Sequence, residues 1–490
     1  MVWGPVARLT NSPYRPSRLS VSFGRVNRAD RLSALDSIFL PMETDFQSLH
    51  VGSVLILEGP APDPAVFREY VVSRLASVPI HRRRVLRMPM DLGRPIWVDA
   101  VDFDPADQVH HAALDAPGDQ LQLQALVARI MVSRLDPDRP LWEMWQVDGL
   151  AGGRWAVVAK AHHTMIDGQS GSDLVQSLLT PVPQVAPARQ AVSDARPEPS
   201  LVSLAGDLVA WLVLLPFRVI RLLVRALRAP REARRRVTQV RFGLAQVIRP
   251  DLPPSILTGP LGARRIWGWA GADLAGVVQV ARRAHCTVND VFLAVLAGGF
   301  RRYLLDRGEP LDAMVLRAIV PVSRRLPGQP MRPGNLVSAM FVELPVDVAD
   351  PAGRLATVAA RTAEQKSREV ADATAAVVRM ADHIPAALCA RGARAYGRSG
   401  QGRVNLVASN VPGPSHVQYL AGRRLLELVP YVPTAQQIRA TAAMVSYARR
   451  VTIGITADAQ ALSDADRLIA AVGREIGDLV AQGSHTLPEP

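Results

Sequence analysis

The sequence predicts a mixed α/β protein built from two large domains, and three observations carry this prediction. The chain has 490 residues, which at about 100–200 residues per domain corresponds to two to four domains. Hydrophobic residues make up 48% of it, which is enough for sizeable cores and argues against disorder. Short apolar runs alternate with helical patterns on both sides of a segment rich in proline and alanine, residues 181–200.

The N-terminal half alternates strand-like and helix-like segments. Residues 50–57 and 155–161 are short apolar runs, which predict buried strands. Residues 121–135 have the periodicity of an amphipathic helix, and residues 171–179 predict a second helix. These elements are assigned to an N-terminal domain over residues 31–185.

A second region with the same alternation of strand-like and helix-like segments, residues 265–490, is assigned to a C-terminal domain. Three segments in it have helical periodicity, namely residues 288–305, 351–370 and 463–481. Strands are predicted at residues 315–320, 337–344, 404–408 and 450–455.

The first 30 residues are basic and contain no apolar stretch long enough for a signal-peptide core. We expect a disordered extension; an upstream misassigned start codon is the alternative.

The most apolar part of the linker, residues 208–217, is ten residues long, whereas a spanning helix needs about 20. Cys286 and Cys389 lie outside any CxxC spacing, which favours a reducing compartment without a disulfide framework. The sequence therefore predicts a cytoplasmic protein without a transmembrane helix.

Residues 186–264 are predicted to form a linker that contains a basic amphipathic helix. Arg218, Arg221, Arg225 and Arg228 are spaced so that a helix places all four on one face. Such helices can lie in a membrane interface, so a membrane or lipid-droplet surface is a predicted peripheral partner. The alternative is an interdomain helix whose apolar side packs on the protein. The net charge of +13 would also suit nucleic acid, but no recognition motif accompanies it, and no nucleic-acid partner is predicted.

Residues 161–168 contain the pattern HHxxxDG, formed by His162, His163, Asp167 and Gly168. The pattern follows a predicted buried strand and precedes a helix start, a place where a rigid scaffold can present reacting groups. Imidazole suits general-base catalysis because its ordinary pKa of about 6.5 lies near the operating pH. Glycine at the end of the pattern allows a sharp turn. Adjacent histidines on an extended chain point in opposite directions, and HExxH is absent, so no metal site is predicted.

HHxxxDG resembles the signature of a superfamily with the chloramphenicol-acetyltransferase-like fold. This superfamily includes nonribosomal condensation domains, plant alcohol acyltransferases and bacterial wax ester synthase/diacylglycerol acyltransferases, and the motif alone does not separate them. Further segments are similar to the last family and follow its order between about residues 31 and 480. They are residues 32–52 (ending in HVG), 139–143 (RPLWE), 288–294 (VNDVFLA), 321–324 (PVSR), 334–335 (GN), 409–414 (SNVPGP) and 445–447 (VSY).

Two stretches depart from this family's pattern. Ser48 and Leu49 stand where the family often has Pro-Met before HVG. Residues 439–444 (RATAAM) lack the glycine-rich approach to the SY element. The departures concern the acceptor pocket rather than the reacting groups.

The resemblance implies two chloramphenicol-acetyltransferase-like domains with mixed sheets and a tunnel at their interface. In that tunnel an acyl-CoA co-substrate would meet diacylglycerol, with long-chain fatty alcohols as a second class of acceptor. His163 would be the general base, and no covalent acyl-enzyme is expected because no GxSxG element is present. Neither a permanently bound cofactor nor a metal is implied.

The resemblance also implies supporting roles around the base. Asp167 would stabilise the catalytic loop by pairing with an arginine, for which Arg324 and Arg325 are the candidates. His162 would shape the site as a hydrogen-bonded support. Asn289 would be a polar group near the reaction centre; the alternative is that it caps a helix.

Two rival functions remain open. One is an acyltransferase of the same fold that acts on a glycolipid or polyketide alcohol. The other is a catalytically weak lipid-droplet coat protein, which the basic amphipathic segment favours and the intact HHxxxDG pattern opposes.

Overall fold

Two mixed β-sheets with helices packed against them organise the chain, as the sequence predicted. The computed structural model describes residues 30–76, 78–165, 171–184, 198–247, 252–253, 255–312, 314–323, 337–368, 370–381, 384–398 and 403–485. The strands are β1 (His50–Leu57), β2 (Arg83–Leu86), β3 (Ile96–Asp99), β4 (Val109–Ala113), β5 (Trp142–Leu150), β6 (Arg154–His162), β7 (Arg265–Asp273), β8 (Leu316–Ser323), β9 (Val337–Leu344), β10 (Leu406–Pro412), β11 (Tyr419–Leu420), β12 (Arg423–Tyr431), β13 (Ala440–Tyr447) and β14 (Arg450–Asp458). The helices are α1 (Ala34–Met42), α2 (Pro64–Leu75), α3 (Gln120–Val132), α4 (Gly171–Leu178), α5 (Leu201–Arg228), α6 (Pro230–Val247), α7 (Leu274–Arg283), α8 (Val288–Asp306), α9 (Pro351–Ser367), α10 (Val370–Ala381), α11 (Ala386–Arg398) and α12 (Ala465–His485).

The first sheet has the strand order β11-β12-β1-β6-β5-β4. Strands β1 and β6 run antiparallel, with Leu57 opposite Trp155 at one end and His50 opposite His162 at the other. Strands β4 and β5 are parallel, so the sheet is mixed. Both strands predicted in the N-terminal half are confirmed. Their apolar side chains are buried on both faces of the sheet, with Leu55, Leu57 and Val157 in one core cluster and Val54, Ile56 and Val158 in another.

The second sheet has the order β7-β14-β13-β10-β8-β9, and β10 is parallel to both of its neighbours. Helix α8 is buried along most of its length and packs on α12. The two helices approach closely at Gly299, where an added Cβ would lie 2.4 Å from a methyl carbon of Val472. The helix predicted from residue 288 is confirmed. It begins with a capping box, in which Thr287 and Asp290 satisfy each other's backbone N–H groups.

Sheet membership does not follow the predicted division into residues 31–185 and 265–490. Strands β11 and β12 come from the C-terminal half, yet β12 pairs with β1, with Gly52 opposite Tyr431 and Leu57 opposite Leu425. The first sheet is therefore not built from the predicted N-terminal domain alone. Nothing in the local sequence of β12 marks this pairing, because strand partners are chosen by long-range packing.

The basic segment of the predicted linker is two helices rather than one. Helix α5 ends at Arg228, and α6 begins at Pro230, which suits the first position of a helix because no N–H is needed there. Helix α6 packs closely on α10 at Gly243. An added Cβ there would lie only 2.2 Å from the carbonyl oxygen of Ala373, so the position requires glycine. Among the described residues, no helix is both long and apolar enough to cross a membrane.

Candidate active site

His163 lies immediately after the last residue of β6. It begins a short 3-10 turn, His163–Met165, and its backbone N–H donates to the carbonyl oxygen of Leu49 at 2.9 Å. This bond continues the pairing of β1 and β6 one residue beyond His50 and His162. The backbone of His163 is therefore fixed at the end of two central strands of the sheet, as the sequence predicted for the end of a buried strand.

Helix α1 packs on the turn that carries His163. The rings of Phe39 and His163 lie 4.1 Å apart between centroids, at an angle of 32°. One residue further on, the hydroxyl of Thr164 donates to the carbonyl oxygen of Asp36 at 3.1 Å. The Nδ1 atom of His163 is buried and has no hydrogen-bond partner within the described part of the chain. One ring nitrogen of the predicted base thus lacks a protein partner there.

Burial lowers the pKa of His163 to about 4, and the neighbouring His162 ring acts in the same direction. The imidazole is therefore neutral near pH 7. A neutral imidazole has an unprotonated nitrogen and can accept a proton, which is what a general base requires.

His162 is buried, and its hydrogen bonding fixes its tautomer. Its Nδ1 accepts the backbone N–H of Thr164 at 3.0 Å, so the ring proton must lie on Nε2. This Nε2 lies 3.3 Å from Oε1 of Glu43. The geometry is not aligned for a hydrogen bond, so the contact acts mainly through charge. The prediction that His162 is a supporting rather than a reacting residue is consistent with these contacts.

His50 completes a buried group around the same carboxylate. Its Nδ1 lies 3.0 Å from the carbonyl oxygen of Met131, which can only accept, and its Nε2 lies 3.6 Å from Oε1 of Glu43. Burial lowers the pKa of His50 to about 3, and the positive charge of Lys160 adds to the effect. His50 is therefore a neutral residue that supports the site from β1.

Glu43, His50 and His162 are residue types that bind metals, but the protonation of His162 does not suit a metal ligand. The Nε2 atom of His162 carries a proton and offers no lone pair toward Glu43. In the part of the chain that the structure describes, no group of three or more histidine, cysteine, aspartate or glutamate side chains could bind a metal ion.

Asn289 lies in the first turn of α8, where its Oδ1 accepts from Nδ2 of Asn410 at 3.4 Å. The alternative that Asn289 caps this helix is wrong, because Thr287 and Asp290 form the cap. Its described side-chain contact joins the predicted ND element to the SNVPGP element and does not involve His163. A place near the reaction centre remains a prediction for Asn289.

Four other predicted site residues lie outside the described residues: Asp167, Gly168, Arg324 and Arg325. The pairing of Asp167 with one of the two arginines and the structural role of Gly168 stay predictions.

The sequence analysis did not identify Glu43 as a neighbour of His162, and it assigned no role to His50. Both belong to the segment that resembles the family's opening, residues 32–52, so a signal was present. The spacing of the two residues says nothing about His162, however. Only the pairing of β1 with β6 brings the three side chains together.

Two family models match this chain. The wax ester synthase/diacylglycerol acyltransferase catalytic domain matches residues 32–292, and the C-terminal domain of the same family matches residues 333–479. A probable diacylglycerol O-acyltransferase of Mycobacterium tuberculosis is 34% identical over 456 residues, which cover 92% of this chain and 96% of the relative.

Two solved structures show the same fold. A wax ester synthase/diacylglycerol acyltransferase from Marinobacter aquaeolei VT8 gives a TM-score of 0.63 at 22% identity, covering 92% of this chain and 99% of that one. A variant of the starter condensation domain of rhizomide synthetase, solved in complex with C8-CoA, gives 0.54 at 14% identity, covering 92% and 94%. The predicted class of two chloramphenicol-acetyltransferase-like domains with mixed sheets is confirmed.

The lowered pKa of His163 predicts an unusually acid-tolerant reaction. A base works only when neutral, so kcat/KM should stay level from about pH 7.5 down to about pH 5 and fall as the pH approaches about 4. Initial rates over this range would measure the profile, with enzyme returned to neutral pH after each exposure as the control for denaturation. A half-loss of kcat/KM near pH 6.5, the ordinary value for histidine, would contradict the account.

Proposed function

This chain belongs to the wax ester synthase/diacylglycerol acyltransferase family, and we propose that it transfers the acyl group of an acyl-CoA to the free hydroxyl of diacylglycerol. Long-chain fatty alcohols, which would yield wax esters, are the second class of acceptor. Acyl-CoA is a co-substrate and not a bound cofactor. The observation that best supports the proposal is the position of the His163 imidazole, which is neutral near pH 7 and whose backbone is fixed at the end of β6.

The reaction needs a base but no covalent intermediate. The imidazole of His163 accepts the hydroxyl proton as the alcohol oxygen forms a bond to the thioester carbonyl carbon. The resulting tetrahedral oxyanion collapses, the carbon–sulfur bond breaks, and the proton passes to the sulfur. The products are an ester and free CoA. A base placed in this way contributes about 10²–10⁴ in rate, and the approximation of two bound substrates contributes more.

A passage between the two halves of the chain would bring the substrates together. A pocket lies between α1 and α11 and is lined by Ser37, Pro41, Arg94 and Cys389, among others. Helix α1 borders this pocket and also contacts the His163 ring through Phe39. The pocket has a volume of only about 20 Å³, room for about one water molecule, so it is not the substrate passage itself. The tunnel between the two halves stays a proposal.

Replacing His163 by alanine should reduce CoA release by about 10²–10⁴, because the hydroxyl proton loses its acceptor. The assay supplies palmitoyl-CoA with either a diacylglycerol or hexadecanol and follows CoA release and ester formation. His111→Ala is the matched control, because His111 is half-exposed on β4 and pairs with Asp148 at 2.8 Å. Equal turnover by His163→Ala and the wild type would overturn the assignment of the base.

The same assay separates the rival functions. A glycolipid or polyketide alcohol that is acylated faster than diacylglycerol or hexadecanol would move the acceptor assignment to that class. No turnover by the wild type with any acceptor, together with binding to lipid droplets, would favour a coat protein.

Helix α5 supports a second part of the proposal, peripheral contact with a lipid surface. Its first turn packs on the protein, where Leu204 is buried against Ile96 and Val98. Most of its apolar side is open to solvent. Six of its exposed apolar residues fall on one side of the helix, namely Val209, Val213, Phe217, Ile220, Leu223 and Leu227.

An exposed apolar strip of this length is unusual on a protein that contacts only water. Arg221, Arg225 and Arg228 lie on the adjacent side of α5 and are exposed as well. Apolar residues beside a row of arginines match a helix that lies in the plane of an anionic lipid interface. We therefore propose that the enzyme is cytoplasmic and contacts the inner membrane face or lipid droplets through α5.

Replacing Leu223 and Leu227 by glutamate should weaken binding to vesicles of phosphatidylcholine and phosphatidylglycerol by at least about tenfold. The reason is that two exposed leucines would no longer enter the lipid interface, each worth about 1.5–3 kcal/mol when fully buried. Vesicle flotation measures the binding. Leu121→Glu is the control, because Leu121 lies on α3 and its exposure of 65% falls between those of Leu223, 58%, and Leu227, 80%. Equal binding by the double variant, the control and the wild type would rule out α5 as the lipid-binding surface.

A further inference from the structure

We propose that Glu43 is a positioning residue for His163, which it controls through Leu49 on one side and His162 on the other. The inference rests on the proposed function, with His163 as the base. No contact between Glu43 and the substrates is part of it.

The first connection runs through the backbone of Leu49. Oε1 of Glu43 accepts the N–H of Leu49 at 2.9 Å, and the carbonyl oxygen of Leu49 accepts the N–H of His163 at 2.9 Å. Residue 49 precedes β1 and has no strand partner for its own N–H in the described pairing. The carboxylate therefore determines where the Leu49 carbonyl lies, and this carbonyl determines where the backbone of His163 lies.

The second connection runs through the tautomer of His162. A carboxylate 3.3 Å from Nε2 stabilises the tautomer that carries its proton there. The other tautomer would direct an Nδ1–H at the backbone N–H of Thr164, and two donors cannot bond to each other. Without the charge of Glu43, His162 could lose its bond to the residue that directly follows His163. The turn carrying the base would then be less well ordered.

Glu43 is well placed to remain charged. Its side chain is only 14% exposed, and this burial by itself would raise its pKa. The contact with His162, the N–H of Leu49 and the neighbouring His50 outweigh that effect and lower the pKa of Glu43 to about 2. The carboxylate is therefore ionised throughout the range in which the enzyme would be assayed.

The loop that carries Glu43 is anchored by the C-terminal half of the chain. The guanidinium of Arg265 donates to the carbonyl oxygen of Phe46 at 2.6 Å and forms an ion pair with Asp458 at 3.1 Å. The backbone N–H of Gln436 donates to the side-chain oxygen of Gln47. Both halves of the chain thus contribute to the position of Glu43, and through it to that of His163.

Two substitutions separate the charge of Glu43 from its shape. Glu43→Gln keeps the volume and an oxygen that can accept from Leu49, but it removes the charge that acts on His162. Glu43→Ala removes both. We expect kcat to fall about tenfold in Glu43→Gln and about 100-fold in Glu43→Ala, because small displacements of a base are costly, while the KM for palmitoyl-CoA changes less than about twofold.

Asp45→Asn is the matched control, because it removes a charge from the same loop and its side chain is 88% exposed. It should retain the wild-type kcat. Thermal unfolding of every variant shows whether the fold is kept, and Glu43→Gln decides the question if Glu43→Ala does not fold. A folded Glu43→Gln enzyme with the wild-type kcat would overturn the proposal, as would a loss confined to KM.

His163→Ala belongs in the same series, because it separates the positioning role of Glu43 from the assignment of His163 as the base. If His163→Ala is inactive and Glu43→Gln is fully active, the positioning role is wrong and the base assignment stands. If His163→Ala is as active as the wild type, the proposed function itself fails.

Discussion

The antiparallel pairing of β1 with β6 is the constraint on which the geometry of the site depends. In its register His50 faces His162, and the next backbone N–H, that of His163, bonds to Leu49 just before β1. A slip of one residue would turn every side chain of a strand to the opposite face of the sheet. Such a slip would separate both buried histidines from Glu43 and displace the base. The apolar side chains that fix this register therefore also fix the chemistry.

The base is neutral for the same reason that it is well placed. Packing under α1 and beside Phe39 shields much of the His163 ring from water and fixes its orientation. This burial lowers the pKa of His163 to about 4. A base of low pKa is intrinsically weak, so its contribution must come from close placement beside the hydroxyl rather than from basicity. This requirement explains why a buried carboxylate such as Glu43, costly in itself, would be retained next to the turn.

The sequence predicted the features that have local signals, and it missed those that depend on partners far away in the chain. Apolar runs identified β1 and β6, and HHxxxDG identified His163 as the candidate base. Helical periodicity identified the arginine-rich segment but not the break at Pro230, nor whether its apolar side would be covered. The pairing of β12 with β1 and the approach of Glu43 to His162 have no local signal, because both arise only when distant segments meet.

A double-mutant cycle would show whether Glu43 acts on the reaction through His163. CoA release by wild type, Glu43→Gln, His163→Ala and the double variant would be measured with radiolabelled palmitoyl-CoA, so that the slow residual rates are quantified. We expect Glu43→Gln to lower the rate only while His163 is present, so that the double variant is as slow as His163→Ala. If Glu43→Gln lowered the rate by the same factor in both backgrounds, Glu43 would act independently of His163, and its positioning role would be wrong.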